Sequence, residues 1–376
     1  MPKQIIAPPY SPDWVSPPGD TILDLLEEKD WTQDQLADRL GYSTKHVSQL
    51  IKGKVSLSED AAVRLQSVLG ASVGFWLKRE ALYRERAALL DAQARHASMV
   101  SWLDDLPVRE LMDAGGITSR PRIDEKSKPA IVAEMLGFFG VATPAQWQST
   151  YGEMHVSFRR SRPEQTDIGA ISAWLRMGER QAEKMDGLRY NEATFRASLK
   201  EIRALTTLPC KEFAPRLREL FRQSGVALVF VPSIPRARVS GVARWLNAHR
   251  PLVQLSLYGK SNDKFWFTLF HEAAHIILHA AEKKTVYLDD PGRAGTDSKE
   301  EREANSWASD FLIPNDRARE LSTLPKTKAA ICAFAESINV HVGIVVGRLQ
   351  HEKLMDVTWL NYLKESFGAA DFNAQH

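Results

Sequence analysis

Apolar residues recur every three or four positions between residues 21 and 95, which is the spacing of amphipathic helices. These patterned stretches are short and are interrupted by Gly41, Gly53 and Gly70. Glycine commonly ends a helix because it adopts the left-handed backbone conformation without strain. The pattern therefore predicts a compact module of short helices at residues 15–90.

A helical spacer is predicted at residues 91–200. Gly115, Gly116 and Pro121 interrupt its first part, which has the composition of a connector. From about residue 130 the helical spacing returns in longer stretches, such as AIVAEMLGFF and ISAWLRMGERQAEKM.

The pattern changes at Gly225, where short, continuous apolar runs replace the helical spacing. Three runs, GVALVFVPS, GVARWL and PLVQLSL, predict a small three-stranded sheet. Two more helices are predicted, at DKFWFTLFHEAAHIILHAA and SKEEREANSWASDFLIP. The fold class is thus mainly α with an α+β C-terminal domain at residues 201–350. We expect PLVQLSL to border a cleft, where an edge strand can pair with an extended peptide.

The amino-acid composition, the cysteine count and the net charge limit which classes of protein the sequence can belong to. The 376 residues are 44% hydrophobic and 26% charged, which is ordinary for a globular protein. The sequence has no apolar run of membrane-spanning length and its first twenty residues do not resemble a secretory signal, so we expect no membrane partner. Cys210 and Cys332 are too few for a disulfide framework and are expected to be inert, which favours the reducing cytoplasm as the location of the protein. A net charge of +2 means that nucleic-acid binding would need a local basic surface.

The first chemical motif is His271-Glu272-x-x-His275. On a helix, residues four apart have Cβ atoms roughly 5–6 Å from each other, so both imidazoles can bind one Zn²⁺. Glu272 points to another side of the helix and can act as the general base on a metal-activated water. The alternative interpretation is that all three are ordinary hydrogen-bonded polar residues. The apolar residues around them predict a buried helix, in which such groups need partners.

A catalytic zinc needs a third protein ligand, and the next helix offers three glutamates. We predict Glu303, because it lies four and eight residues before two aromatic residues, Trp307 and Phe311, on a face expected to point inward. Glu300 and Glu301 are interpreted as a solvated first turn. His279 is a rival ligand, but a position behind the ligands or at the helix end fits it better.

Two further residues of this region, His341 and Tyr258, are alternatives for stabilising an oxyanion. Simple packing or surface exposure explains them equally well. For Arg348 we expect a helix end or a pair with a carboxylate.

The segments DKFWFTLFHEAAHIILH, EREANSWASDFLIP and VGIVVGRLQ resemble the ImmA/IrrE-type zinc metallopeptidases over roughly residues 220–350. The resemblance implies a zincin-like fold, with His271 and His275 as ligands and Glu272 as general base. By motif position it implies Glu303 as the third ligand. Ala274 stands where the family often has glycine and Trp307 where it often has phenylalanine, and neither change removes a ligand.

The second motif is a helix-turn-helix in TQDQLADRLGYSTKHVSQLIKG. Thr32 and Ser43 are suited to cap two helices, and Gly41 permits the sharp turn between them. Outward-pointing side chains of the second helix would reach base edges and phosphates in a major groove. They are Thr44, Lys45, His46, Ser48 and Gln49. An ordinary helical hairpin is the alternative interpretation.

Residues 17–83 are similar to the HigA-type, XRE-like repressors of toxin–antitoxin modules. The shared features include a Gln-x-x-Leu-Ala helix, a glycine turn, a Lys-Gly exit and a Phe-Trp-Leu helix. The resemblance implies a five-helix module that binds double-stranded operator DNA as a homodimer. Carried over by motif position, Gln33 would contact phosphate, while Thr44, Lys45 and Gln49 would face bases.

Together the motifs favour a DNA-binding regulator with a zinc endopeptidase domain that cleaves a regulatory protein partner or the chain itself. The alternative is an antitoxin-type repressor whose zinc domain is a non-catalytic sensor or a docking module for a cognate toxin.

Overall fold

The computed structural model describes residues 16–159, 167–237, 239–256, 261–279, 287–289, 298–368 and 371–372. The chain divides into two compact units. The first unit contains residues up to Val100 together with 124–133, and the second contains residues 101–123 and everything from Glu134 onward.

The first unit contains the expected five helices. They enclose a core of buried apolar side chains that includes Ile22, Leu36, Val47 and Trp76. The fifth helix runs well past the predicted end of the module at residue 90. The bounds are α1 (Pro18–Glu28), α2 (Gln33–Leu40), α3 (Thr44–Ile51), α4 (Glu59–Leu69) and α5 (Val73–Ser98).

The second unit is mostly helical and is built around one small sheet. Short 3₁₀ segments lie at Val100–Asp105, Leu205–Thr207, Arg319–Ser322 and Asn361–Leu363. Helix α7 starts in the segment that belongs to the first unit and ends in the second. The α-helices are α6 (Val108–Asp113), α7 (Lys128–Phe139), α8 (Pro144–Arg159), α9 (Ile168–Glu183), α10 (Glu192–Ala204), α11 (Cys210–Gln223), α12 (Asn262–Leu278), α13 (Lys299–Leu312), α14 (Asn315–Ala318), α15 (Lys328–Ser337) and α16 (Val342–His351).

The sheet has four strands rather than the expected three. The three predicted runs form β1 (Ala227–Phe230), β2 (Gly241–Asn247) and β3 (Arg250–Leu255), and the fourth strand, β4, is Tyr287–Asp289. The strand order is β1-β3-β2-β4, with β1 parallel to β3 and the other pairs antiparallel.

The expectation that PLVQLSL is an edge strand is wrong. Its residues form β3, which pairs with β1 on one side and β2 on the other, so its backbone groups are already used within the sheet. Buried side chains on both faces of β3 explain why it is an inner strand, because a strand that is covered on both sides carries a continuous apolar run. Among the described strands, β1 and β4 form the edges.

Helix α9, from the predicted spacer, packs directly against the sheet. The indole of Trp174 donates to the carbonyl of Val231 at 3.3 Å, and the amide of Gln254 in β3 donates to the carbonyl of Trp174 at 2.7 Å. Arg244 in β2 pairs with Glu179 at 2.6 Å. The sequence-based boundary at residue 200 therefore does not separate two compact units.

Helix α12 is the centre of the second unit. It contacts β2, β3 and β4 as well as α13 and α16, and its aromatic residues Phe265, Trp266 and Phe270 lie in the main core. Within the described residues, no single helix is long and apolar enough to cross a membrane; only α15 and α16 together, bent by 111°, meet the length and composition criteria.

Candidate metal centre and DNA-binding surface

The motif predicted from the sequence lies in the second half of α12, where it is almost completely buried. His271 is 1% exposed, Glu272 is 0% exposed and His275 is 2% exposed. Buried alanines and isoleucines surround these residues on the same helix, including Ala273, Ala274 and Ile276. Polar groups in such a position need strong partners, because leaving them unpaired costs several kcal/mol, on the order of 2–7.

Three ligand-type side chains converge on one point. The Nε2 atoms of His271 and His275 are 3.1 Å apart. The carboxylate of Glu301, from the first turn of α13, lies 3.2 Å from Nε2 of His271 and 3.5 Å from Nε2 of His275. All of these ligand atoms lie within 4.8 Å of one another.

These separations fit a tetrahedrally coordinated metal ion. Ligand atoms bound at about 2.0 Å around a tetrahedral centre are about 3.3 Å from each other. Burial, followed by the charges of His271 and His279, lowers the pKa of His275 from 6.5 to about 2. The imidazole is therefore neutral at physiological pH, as a metal ligand must be.

The third member of the cluster is Glu301 and not the predicted Glu303. Residues two apart on a helix point about 160° away from each other, so only one of these two glutamates can face α12. The side that faces inward carries Ala304 and Ala308, both fully buried, and Glu301 lies on the same side. The sequence argument followed the row through Trp307, which is only partly buried.

Glu303 instead lies beside His279. Its Oε2 atom is 3.2 Å from Nε2 of His279, and its Oε1 atom is 3.5 Å from the ammonium of Lys299. The hydrogen bond from His279 is the main reason why the pKa of Glu303 is lowered. His279 in turn places its Nδ1 atom 3.1 Å from Nδ1 of His275. This agrees with the expectation that His279 lies behind the ligands rather than among them.

The side chain of Glu272 lies against the start of β2. A Cβ atom added at Gly241 would lie 2.6 Å from Oε1 of Glu272 and 2.7 Å from Cγ2 of Thr268. The absence of a side chain at Gly241 therefore provides the space that the Glu272 carboxylate occupies. The sequence alone gave no signal for this contact, because the glycine has an ordinary strand conformation.

The two oxyanion alternatives have different outcomes. His341 caps the N-terminus of α16: its Nδ1 accepts from the backbone N–H of Gly343 at 3.0 Å and lies 2.7 Å from the amide nitrogen of Asn262. Its Nδ1 atom therefore has a structural role as a helix cap. Tyr258 lies outside the described residues. Arg348, in the last turn of α16, pairs with the carboxylate of the C-cap residue Glu352, as expected.

The helix-turn-helix of the first unit has the predicted caps and turn. Thr32 and Gln35 form a reciprocal capping box at the start of α2, and Ser43 accepts from the backbone N–H of His46 at 3.2 Å to cap α3. Gly41 ends α2 with φ +70°, a conformation that favours glycine. Together these residues define where α3 begins and how it leaves the turn.

Neighbouring helices hold α3 in place. The hydroxyl of Tyr42 donates to Asp60 in α4 at 2.9 Å, and Arg64 in α4 donates to the carbonyl of Leu40 at 2.8 Å. At the other end, Arg84 in α5 donates to the carbonyl of Gly53 at 3.1 Å. The helix that would read DNA is thus fixed at both ends.

The predicted DNA contacts lie on the solvent side of this motif. Thr44 and Lys45 are exposed at the start of α3, Gln49 is half-exposed one turn later, and Gln33 is half-exposed at the start of α2. His46, which was expected to point outward, packs edge-on against Tyr42 with ring centroids 4.7 Å apart. Between residues 41 and 58 the chain has three lysines and no acidic residue, which supplies a local positive charge.

Comparison with known families finds two matching segments. Residues 22–76 match the helix-turn-helix family, and residues 233–350 match the IrrE N-terminal-like domain, a peptidase family. The search of curated proteins found no match. The chain therefore joins a helix-turn-helix DNA-binding domain to a metallopeptidase-like domain of the IrrE type.

Proposed function

We propose that this protein is a DNA-binding transcriptional regulator of the HigA antitoxin type that carries a zinc-dependent endopeptidase domain. The observation that carries the enzymatic part is the convergence of His271, His275 and Glu301, whose ligand atoms lie within 4.8 Å of one another. The match to a peptidase family over residues 233–350 supports it.

His271, His275 and Glu301 would hold Zn²⁺, two as neutral imidazoles and one as a carboxylate. When bound, zinc supplies a Lewis acid that makes water acidic and polarises a peptide carbonyl. Glu272 does not belong to the group of converging ligand atoms, so we assign it the role of general base rather than that of a ligand. It would take the proton from the attacking water and transfer it to the amine that leaves.

The DNA-binding part of the proposal rests on the capped helix α3 and the lysines around it. Lys45, Thr44 and Gln49 would face the major groove, and Gln33 would contact phosphate. The partner is double-stranded operator DNA, which two copies of the chain would bind as a homodimer at two half-sites. Such a protein would act in the cytoplasm.

The proposed substrate of the peptidase is a regulatory protein partner or the chain itself. The test is to incubate zinc-loaded protein with the proteins encoded beside it, and to compare wild type with Glu272→Gln. The proposal expects cleavage by wild type only, because the variant lacks the general base. Equal cleavage by both forms would rule out proteolysis by this site. Zinc binding without any cleavage would favour a non-catalytic domain that senses metal or docks a cognate toxin.

A further inference from the structure

Behind the metal cluster, four side chains from α12, its C-cap and α13 form a continuous row of contacts. Nδ1 of His275 is 3.1 Å from Nδ1 of His279. Nε2 of His279 is 3.2 Å from Oε2 of Glu303, and Oε1 of Glu303 is 3.5 Å from the ammonium of Lys299. The row therefore runs from a proposed zinc ligand to the protein surface.

The protons along this row can be assigned from one end. A carboxylate only accepts hydrogen bonds, so Nε2 of His279 must be the donor to Glu303. In a neutral imidazole the other nitrogen is then an acceptor, so Nδ1 of His279 accepts from Nδ1–H of His275. This leaves the lone pair of His275 on Nε2, the atom that lies 3.1 Å from Nε2 of His271 in the cluster.

We propose that His279 and Glu303 are positioning residues that fix the tautomer and the ring orientation of His275 for metal binding. The inference rests on the proposed zinc site and assigns a role to two residues outside the ligand set. Groups that hold a metal-binding imidazole by its second nitrogen orient the ring and raise its basicity as a ligand. Here the carboxylate of Glu303 does not contact His275 directly; His279 lies between them and bonds to both.

The local fold explains why His279 can reach back to His275. Helix α12 ends at Leu278, and His279 follows as its C-cap, with its backbone N–H bonded to the carbonyl of His275 at 3.1 Å. Its side chain is only 7% exposed, so the ring is buried where it contacts His275 and Glu303. Pairing with Lys299 alone does not explain the place of Glu303, because that lysine side chain is 75% exposed and such surface pairs contribute little.

The test compares the zinc affinity of full-length variants by competition with a chelator of known affinity. His279→Leu removes both the acceptor and the donor, and we expect it to weaken zinc binding roughly 10- to 100-fold. His279→Gln keeps one acceptor and one donor, and we expect it to restore most of that loss. Glu303→Leu should weaken binding in the same range, while Glu336→Gln, on the exposed side of α15, should have no effect.

Two results would overturn the inference: a His279→Leu protein that binds zinc within twofold of wild type, or a His279→Gln protein that binds no better than His279→Leu. If His279→Leu does not fold, the substitutions Glu303→Gln and Glu303→Leu decide the question, because this side chain is 45% exposed and its replacement should not prevent folding. Glu303→Gln keeps an acceptor for His279 and should bind zinc better than Glu303→Leu. Equal zinc affinity of Glu303→Leu and wild type would refute the proposed role of Glu303 and His279. Failure of the proposed function looks different, since wild type itself would not bind one zinc per chain.

Discussion

The carboxylate of Glu301 lies 3.2 Å from Nε2 of His271, and this contact joins α13 to α12 at the metal cluster. Glu303, two residues further along the same helix, contacts His279 instead. The two glutamates of one helical turn therefore have separate tasks, one inside the cluster and one behind it.

Substitution of these glutamates by alanine should give different zinc affinities. Glu301→Ala removes a ligand, so we expect loss of stoichiometric zinc, measured by metal analysis after gel filtration. Glu303→Ala removes only a supporting hydrogen bond, and the loss should stay within about 10- to 100-fold. Stoichiometric zinc in Glu301→Ala, together with zinc-free Glu303→Ala, would reverse the assignment.

A methyl group at position 241 should disturb the general base without touching a ligand. In Gly241→Ala the new Cβ would overlap with Oε1 of Glu272 and Cγ2 of Thr268, and overpacking of this kind costs about 1–3 kcal/mol of unfolding free energy. We expect lower thermal stability and lower peptidase activity, with zinc stoichiometry unchanged.

The control for this prediction is Gly137→Ala in α7, where an added Cβ meets no atom within 4 Å. It should be neutral or slightly stabilising, because alanine favours a helix. Adding Thr268→Ser to Gly241→Ala removes the close contact with Cγ2 of Thr268 and should recover part of the stability. A Gly241→Ala protein as stable and active as wild type would contradict the proposed tight fit.

Two residues of α3 should affect DNA binding in different ways. Lys45→Ala removes a positive charge that would also face a base, so binding should weaken on every sequence but most on the preferred operator, and the salt dependence of log K should fall by about 1. Gln49→Ala should cost about 1–3 kcal/mol on the preferred operator and little on other DNA, because it would read a base. Both are measured by titrating labelled duplexes at several salt concentrations.

Lys78→Ala is the matched control, since this lysine is exposed on α5 rather than on the helix-turn-helix. It should leave specific binding almost unchanged. If Lys78→Ala weakens binding as much as Lys45→Ala, α3 is not the helix that approaches DNA.

Cys210 should react slowly with alkylating reagents in the folded protein. Burial, with smaller contributions from nearby carboxylates, raises the pKa of its thiol from 9.0 to about 11. At pH 8 the thiolate fraction is then about 100-fold lower than in the unfolded chain. The thiol of Cys210 ionises at a lower pH in the unfolded chain than in the folded protein. The free energy of unfolding should therefore fall as the pH rises from 9 to 11.

Alkylation rates in a Cys332→Ser background, with and without denaturant, test this prediction. A folded-state rate at pH 8 equal to the rate in denaturant would show that the thiol is not protected.

The motifs with strict local spacing were predicted well. Thr32, Gly41 and Ser43 occupy the caps and the turn that the sequence indicated, because these features depend on neighbours within a few residues. The pair His271 and His275 also follows from helix geometry alone. The caps, the turn and the histidine pair could all be predicted because each depends only on the conformation of a few consecutive residues.

Features that depend on packing between distant segments were missed. The choice between Glu301 and Glu303 depends on which side of α13 meets α12, and the aromatic residues Trp307 and Phe311 drew the prediction to the less buried side. The row of small residues through Ala304 and Ala308 was the signal that would have favoured Glu301. Likewise, β4 has only three residues, too few to form a recognisable pattern.

The tightly buried alanines of α12 and α13 have a consequence for how the domain tolerates change. Ala273 and Ala274 on one helix and Ala304 and Ala308 on the other are completely inaccessible to solvent, and the two helices pack along each other. Ala304 and Ala308 lie on the side of α13 that carries Glu301, so bulkier side chains there would displace this helix, and a shift of about one ångström is enough to spoil a metal site. We therefore expect substitutions at these two alanines to impair the proposed zinc site although every proposed ligand is still present.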